Sequence, residues 1–315
     1  MKFRTEIDVD KELDLKPDFK LFTIGSCFAD RMGNYFHSLG VDSCLNPYGV
    51  VYNPVSISKL LESTCEQKSI GQWEQKDELW LNTMYHGQFN NSDKQKAVSN
   101  LGQVVANSHK SILDANFLII TLGTSYAYLE VETNDVVTNC HRLPAKRFKR
   151  ELLSIAEMQN QLKGAIQKIL AKNPELAIIL TVSPVRHVRD SLTYNQLSKS
   201  QLVCLAHILV NELEQVYYFP SYEILIDDLR DYRFYDKGLV QPNSQALTYV
   251  QEKFRDFAFS DEMHAYEKDV TKLVKKLSHR PINENEQTTS FKTKTEEELI
   301  HFLTKYPFSK LNANL

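Results

Sequence analysis

The sequence predicts an α/β protein, a three-layer α/β/α sandwich with a mainly parallel sheet. Three short apolar runs are typical of strands that are covered on both faces of such a sheet: KLFTIG (Lys20–Gly25), FLIITLG (Phe117–Gly123) and ELAIILTVSP (Glu175–Pro184). Segments with apolar residues at helical spacing alternate with these runs. Strands that alternate with helices need crossover connections, which place helices on the faces of the sheet.

A weaker strand and three amphipathic helices complete the predicted sandwich. The run YEILIDD (Tyr222–Asp228) fits a fourth strand less well than the other three runs do. Apolar residues recur at helical spacing over Glu157–Lys172, Ser198–Val216 and Asn243–Phe259, so a helix is predicted over each range.

The C-terminal part of the chain differs in character. Arg280–Glu298 is polar and predicts a loop or linker. A short helix is predicted after it, with Thr295 as N-cap and Glu298 three residues on, as in a capping box. We therefore expect one domain over residues 1–280, with residues 281–315 as a C-terminal linker and short helix that pack on it or extend from it.

Composition and charge argue against several classes of protein. The 315 residues carry a net charge of −3 without a basic stripe, so no nucleic-acid partner is expected. No segment is long and apolar enough to span a bilayer, and the charged N-terminal segment is unlike a signal peptide. The five cysteines are odd in number and scattered, which is typical of reduced thiols. We expect a cytoplasmic location and no membrane partner.

Metal and cofactor motifs are also missing from the sequence. No cysteine or histidine cluster has the spacing of zinc ligands. The first strand is followed by neither G-x-G-x-x-G nor a Walker lysine, which argues against a nucleotide. We therefore expect no metal and no cofactor.

Small and polar residues follow the three strongest strands: Gly25-Ser26-Cys27, Gly123-Thr124-Ser125 and Ser183–His187. Because ligands bind beyond the carboxyl ends of parallel strands, we expect these segments to converge on one edge of the sheet. Ser26 and Cys27 have two interpretations. Either one is a nucleophile at a helix start, or Ser26 is a helix N-cap beside a buried, unreactive Cys27.

Two loops and three histidines are further candidates for the site. NPYGVVYNP (Asn46–Pro54) holds two Asn-Pro turns around Gly49, and TNCHRLP (Thr138–Pro144) places Asn139 beside His141. His141, His86 in MYHGQF and His187 in SPVRHVRD each fit two roles, a general base or a hydrogen-bonded loop histidine.

Together these segments resemble the GSCFA-domain family, whose namesake motif stands at Gly25–Ala29. NPYGVVYNPVSI, YHGQF, IITLGTSYAY, TNCHRLP, LTVSPVRH, NQLSKS and YFPSYEILIDDLRDYRFY look like family segments in family order. That family is similar to the SGNH/GDSL hydrolases. The resemblance implies a flavodoxin-like fold, esterase or acyl-transfer chemistry and a small-molecule or acylated substrate.

The hydrolase motifs can be carried over position by position. Alignment on Gly25 places Cys27 at the nucleophile position, and a helix N-terminus is expected to lower the pKa of a thiol there. Gly49 matches a glycine whose backbone N–H contributes to an oxyanion hole, and Ser125 stands where those enzymes place an asparagine donor. The last motif, Asp-x-x-His, is replaced by Gly238 and Gln241, so the expected base is missing.

Two functions therefore remain open. In the first, Cys27 or Ser26 attacks an ester or thioester carbonyl, and His141, His187 or His86 accepts the proton. The oxyanion would be held by the N–H groups of residues 26 to 28 and of Gly49, with the side chains of Ser125 and Asn139. Gly25, Asn46, Thr124 and Arg186 complete the expected binding residues. In the second, the protein binds an acylated sugar or another small ligand on a hydrolase scaffold without turnover.

Overall fold

The computed structural model describes residues 5–278 and 286–311. Its strands are, in chain order, β1 (Lys20–Gly25), β2 (Asp42–Leu45), β3 (Trp73–Lys76), β4 (Leu79–Asn82), β5 (Phe117–Leu122), β6 (Tyr126–Glu130), β7 (Val136–Val137), β8 (Phe148–Leu152), β9 (Ala177–Val182) and β10 (Val216–Phe219). The α-helices are α1 (Cys27–Ser38), α2 (Pro54–Cys65), α3 (Lys94–Asp114), α4 (Ile155–Leu170), α5 (Ser191–Glu212), α6 (Ser221–Glu223), α7 (Ser244–Ala258), α8 (Asp261–Leu277) and α9 (Glu286–Lys305).

Five strands form a parallel sheet in the order β10-β9-β5-β1-β2. Counted in chain order among these five, the order is 2-1-3-4-5, which is the flavodoxin-like order. The predicted fold class is therefore confirmed. The direction of winding reverses between β1 and β5, where Gly25 is in register with Thr121. Open α/β sheets bind ligands at the carboxyl ends of the strands at such a switch point.

Two apolar cores flank this sheet, because successive side chains of each strand point to opposite faces. In β1, Phe22 and Ile24 enter one core together with residues of α2, α3, α4 and α5. Leu21 enters the other core, with residues of α1, α7, α8 and α9. This arrangement is the expected three-layer sandwich. Two small antiparallel sheets, β3-β4 and β7-β6-β8, are added to it and were not predicted.

The predicted fourth strand is wrong. Tyr222–Asp228 lies in α6 and in a π-helical turn, Ile224–Leu229, that continues it. Tyr222, Leu225 and Leu229 are buried and recur at helical spacing. This helical pattern outweighs the β-propensity of the individual residues. The strand that pairs with β9 at this end of the sheet is β10, whose first residue, Val216, was predicted as the end of a helix. That helix, α5, ends at Glu212.

The predicted polar linker is also partly wrong. Its residues 286–298 belong to α9, while residues 279–285 lie outside the described part of the chain. Thr295 lies inside this helix rather than at its N-cap, and its hydroxyl donates to the Phe291 carbonyl (2.8 Å). Phe302 of α9 packs its ring against Tyr266 of α8, with centroids 5.7 Å apart. Tertiary packing of this kind stabilises a helix whose sequence is otherwise polar. Within residues 5–278 and 286–311, none of the helices combines the length and the hydrophobicity that a membrane span requires.

Candidate functional site

The turn between β1 and α1 requires a glycine at its first position. Gly25 has φ +137°, and a Cβ there would lie 2.2 Å from the Thr121 carbonyl oxygen of β5. The next residue, Ser26, donates its N–H to the same carbonyl (3.0 Å). Its hydroxyl accepts from the Phe28 N–H (3.3 Å), so Ser26 is the N-cap of α1. Ser26 is 1% exposed. Its buried hydroxyl therefore fits the role of a helix cap better than that of a nucleophile.

Cys27 is the first residue of α1 and remains partly exposed, with a free thiol. Burial raises the pKa of this thiol, and the nearby charge of Asp30 acts in the same direction. The charges of Arg31 and Lys199 and the backbone N–H of Cys27 act in the opposite direction but do not outweigh them. The expectation that the helix start makes this thiol acidic is therefore wrong. Desolvation and a carboxylate within the first turn dominate.

Asn46 holds the turn in place from the loop after β2. Its side-chain oxygen accepts from the Gly25 N–H (2.8 Å), and its amide nitrogen donates to Asp30 Oδ1 (2.6 Å). The Gly49 N–H donates to the Asn46 carbonyl (2.8 Å). This N–H is thus committed within its own turn instead of being free for an oxyanion, contrary to the expectation. The φ of +76° at Gly49 and the His86 side chain, 2.6 Å from a Cβ there, both favour glycine.

The turn after β5 is tied to helix α5 through serine. Thr124 Oγ1 lies 3.0 Å from Ser198 Oγ, which accepts from the Ser125 N–H (2.7 Å). The Ser125 hydroxyl donates to the Ser198 carbonyl (2.9 Å). Because this donor is used within the protein, Ser125 does not offer the free oxyanion donor that the alignment suggested. The two N–H groups of Gly123 and Thr124 both donate to the Tyr52 carbonyl, at 2.8 and 3.1 Å.

Lys199, the residue after Ser198, is a functional candidate that the sequence analysis missed. Its side chain is fully buried, and Nζ donates to the carbonyls of Gly123 and Ser183, both at 2.6 Å. Burial lowers the pKa of Lys199 to about 7, and the Cys27 charge acts in the opposite direction. The sequence does contain an indication of this burial. Lys199 stands three residues before Leu202 and six before Leu205, so it lies on the same face of α5 as these buried leucines.

His187, in the loop after β9, is a second buried base. Its ring packs edge-on against Tyr52, with centroids 5.5 Å apart, and its backbone N–H donates to Asn195 Oδ1 (2.8 Å). Burial, together with the charges of Lys199 and Arg150, lowers the pKa of His187 to about 3. Its Nε2 is buried and has no hydrogen-bond partner among the described residues. His187 is therefore neutral at physiological pH, and protonating it is costly.

The other two histidines form a separate group. His141 Nε2 donates to the Asn82 carbonyl (2.9 Å), and its Nδ1 accepts from the Asn90 amide (3.3 Å). Burial lowers the pKa of His141. Asn139 Oδ1 accepts from the His141 N–H (2.9 Å), and His86 Nδ1 accepts from the Gln88 N–H (3.3 Å). The four hydrogen bonds hold His86 and His141 within their own loops. None of the four brings either histidine to Cys27.

The loop that carries the replaced motif packs beside α1. Gln241 Oε1 accepts from Arg31 Nη2 (3.2 Å), one helical turn from Cys27. The Arg186 guanidinium stacks on Tyr235, 3.9 Å from the ring centroid, and its backbone N–H donates to the Val240 carbonyl (3.0 Å). Arg186 thus anchors this loop. In the described part of the chain, no group of three or more His, Cys, Asp or Glu residues could hold a metal ion.

Comparisons with known proteins give one family and several distant structures. The GSCFA family profile matches residues 20–254. No curated protein matches the chain. Among solved structures, a Streptococcus pneumonia protein provisionally assigned as a platelet activating factor is 14% identical, with a TM-score of 0.39 over 77% of this chain and 84% of its own. The family 3 carbohydrate esterase of Clostridium thermocellum is 11% identical, with a TM-score of 0.32 over 76% and 94%. A provisionally assigned GDSL-like lipase from Parabacteroides merdae ATCC 43184 is 13% identical, with a TM-score of 0.35 over 80% and 98%.

Proposed function

Since the chain belongs to the GSCFA family, we propose that its characteristic turn supplies a nucleophile and that the protein is an acyl hydrolase or acyltransferase. The nucleophile is Cys27. The observation that carries this assignment is the contrast between two neighbouring residues at the switch point of the sheet: the Ser26 hydroxyl is buried as a helix cap, while the Cys27 thiol is partly exposed.

The reaction has two steps. Cys27 Sγ attacks an ester or thioester carbonyl, and an acyl-enzyme thioester forms as the alcohol or thiol leaves. Water, or a second alcohol, then attacks this thioester and frees the thiol. Cys27 is the first residue of α1, where backbone N–H groups have no intrahelical partner, so we assign its own N–H as a donor to the developing oxyanion. An oxyanion donor of this kind contributes about 3–4 kcal/mol to transition-state stabilisation.

The test separates the two neighbouring residues. Hydrolysis of a short-chain p-nitrophenyl ester and of an acyl thioester is measured for the wild type, Cys27→Ala and Ser26→Ala. We expect Cys27→Ala to lose turnover with an unchanged melting temperature, and Ser26→Ala to keep turnover with a lower one. Full turnover by Cys27→Ala would overturn the proposal.

A second function is favoured by the replaced motif. Gly238 and Gln241 stand in place of the Asp and His that orient and deprotonate a nucleophile in the similar hydrolases, and the pKa of the Cys27 thiol is raised. On this alternative the same edge of the sheet binds an acylated sugar or another small ligand without turnover. It predicts that wild type and Cys27→Ala bind the ligand alike, and that neither cleaves any ester or thioester tested.

A further inference from the structure

The arginines of this protein fall into two groups by their partners. Those of the first group lie within 4.0 Å of a carboxylate oxygen, and they are Arg147, Arg150, Arg230, Arg233 and Arg255. The arginines of the described residues that have no such carboxylate are Arg31, Arg142, Arg186 and Arg189. Of these, Arg31 follows β1, and Arg186 and Arg189 follow β9. Guanidiniums without an acidic partner therefore lie mainly at the edge of the sheet that carries Cys27.

Arg31 stands on the same face of α1 as the proposed nucleophile. Cys27 and Arg31 are four residues apart in this helix, a spacing that brings Cβ atoms to about 5–6 Å from each other. Arg31 is exposed, and its Nη2 donates to Gln241 Oε1 (3.2 Å). Gln241 is a neutral acceptor, and a guanidinium has five N–H donors. Most of the donors of Arg31 are therefore free for a ligand.

Arg186 reaches the same loop from the segment after β9. Its Nη1 donates to the Leu239 carbonyl (3.4 Å), two residues before Gln241. Two residues of chain span at most about 7 Å, so both guanidiniums contact one short stretch of this loop. The Arg186 guanidinium lies 3.9 Å from the ring centroid of Tyr235 and 5.1 Å from that of Tyr232. Stacking on these rings restrains the guanidinium before any ligand binds.

The carboxylates next to these arginines in the chain have other partners. Asp30 Oδ1 accepts from the Asn46 amide (2.6 Å), and Asp236 Oδ1 accepts from the Gly238 N–H (3.0 Å). Neither carboxylate forms an ion pair with Arg31 or Arg186. In the similar hydrolases an Asp stands at the position of Gly238, so this chain has one carboxylate fewer in the loop that both guanidiniums contact.

We propose that Arg31 and Arg186 bind an oxyanion group of the substrate, a carboxylate or a phosphate, so that Cys27 acts on an anionic ester or thioester. The planar fork of a guanidinium matches the oxygens of both groups. This inference names the substrate class of the proposed function and rests on that function. The two arginines hold the charged group and take no part in bond breaking.

Two matched reagents test the charge beside the thiol without any turnover. Iodoacetate and iodoacetamide both alkylate a thiolate, but only iodoacetate is an anion. The ratio of their rates at Cys27 is measured by mass spectrometry and compared with the ratio at Cys204, an exposed thiol of α5, in the same digest. At low ionic strength the ratio should be about fivefold higher at Cys27, and this preference should shrink in high salt. Equal ratios at the two cysteines would overturn the inference.

A substitution identifies the source of this preference. Arg31→Gln should lower the ratio at Cys27 about threefold, and Arg31→Lys should largely retain it, because the charge is kept. Lys163→Gln makes the same change in net charge on α4 and is the control, with an unchanged ratio. A changed pKa of the thiol cancels in the ratio, since both reagents attack the same thiolate. An unchanged ratio in Arg31→Gln would contradict the inference.

Added anions and a pair of esters complete the test. Phosphate and glutarate, each compared with sodium chloride at equal ionic strength, are added during alkylation by iodoacetamide. Protection of Cys27 by one of them identifies the oxyanion, and protection by neither overturns the inference. If Cys27 prefers iodoacetate but no ester is cleaved, the anion site stands and the proposed function fails. If phenyl acetate and the anionic 4-acetoxybenzoate are cleaved with equal kcat/KM, the proposed function stands and this inference fails.

Discussion

The buried amine of Lys199 makes the stability of this protein depend on pH in a way that one substitution removes. Burial lowers the pKa of Lys199 from 10.5 to about 7. In the unfolded chain the amine keeps its ordinary pKa, so between these two values the unfolded state binds more protons than the folded state. The free energy of unfolding must then rise with pH. The penalty is fully present below pH 7 and is lost as the pH rises towards 10.5.

The size of the effect follows from the shift. A change from 10.5 to about 7 corresponds to a penalty of about 5 kcal/mol at low pH, at about 1.4 kcal/mol for each pKa unit. Between pH 6.5 and pH 9 about 2–3 kcal/mol of this penalty should disappear. Lys199→Met removes the titrating group and leaves the Gly123 and Ser183 carbonyls without their donor. Each lost hydrogen bond should lower the free energy of unfolding by about 1–3 kcal/mol, and this loss does not change with pH.

Urea denaturation of the wild type and of Lys199→Met at both pH values measures this difference. Relative to the variant, the wild type should become more stable by about 2–3 kcal/mol as the pH rises from 6.5 to 9. Lys163→Met, at a partly exposed lysine of α4 that pairs with Glu212 (3.0 Å), is the control and should show no such change. A constant difference between wild type and Lys199→Met would refute the lowered pKa of the buried Lys199 amine.

Three further substitutions test the turn itself. Gly25→Ala should lower the free energy of unfolding by about 3 kcal/mol or more, because the new Cβ would lie 2.2 Å from a backbone oxygen at a residue with φ +137°. Gly102→Ala in α3 is the control and should be neutral or stabilising, because a Cβ there has nothing within 4 Å. Thermal unfolding compares the two variants. Ser26→Ala should lower the free energy of unfolding by about 0.5–2 kcal/mol through loss of the cap, and a denaturation midpoint equal to that of the wild type would contradict the capping role. Asn46→Ala should lower the free energy of unfolding, measured by chemical denaturation, by about 1–3 kcal/mol, because the buried Gly25 N–H loses its acceptor. An unchanged free energy of unfolding would show that the hydrogen bond from Gly25 to Asn46 does not stabilise the turn.

The sequence predicts the sheet well where strands are buried on both faces. β1, β5 and β9 carry continuous apolar runs, and such runs have few alternatives in a protein of this size. It fails at Tyr222–Asp228, where a short apolar run suits a strand and a helical turn equally. The small antiparallel sheets escape notice because β3 and β8 are short, largely polar and half-exposed, and β4 has only four residues.

For the candidate site, the sequence predicts which turns come together but not the contacts that they make. Glycine and polar residues after β1, β5 and β9 do meet at one edge of the sheet, since parallel neighbours end together. The same residue types do not reveal which donors are already used. The hydroxyl of Ser125 and the N–H of Gly49 are both committed within the protein. Whether a donor is free depends on tertiary distances, which no local pattern encodes.

Lys199 shows how a functional candidate can be hidden by its residue type. Lysine in a helix is ordinarily a solvated residue, so it attracts no attention beside histidine and cysteine. Only the extension of the buried stripe of α5 back from Leu202 indicates that this lysine faces the interior. The partners of the amine, two main-chain carbonyls, leave no trace in the sequence.

Trapping the covalent intermediate tests the central claim most directly. The wild-type protein is mixed with p-nitrophenyl acetate, quenched in acid within the first turnover and digested for mass spectrometry. A single acetyl group should be found on Cys27 of the wild type, and Cys27→Ala should carry none. An acetyl group on Ser26, or hydrolysis without any acyl-enzyme, would contradict the assignment of the nucleophile.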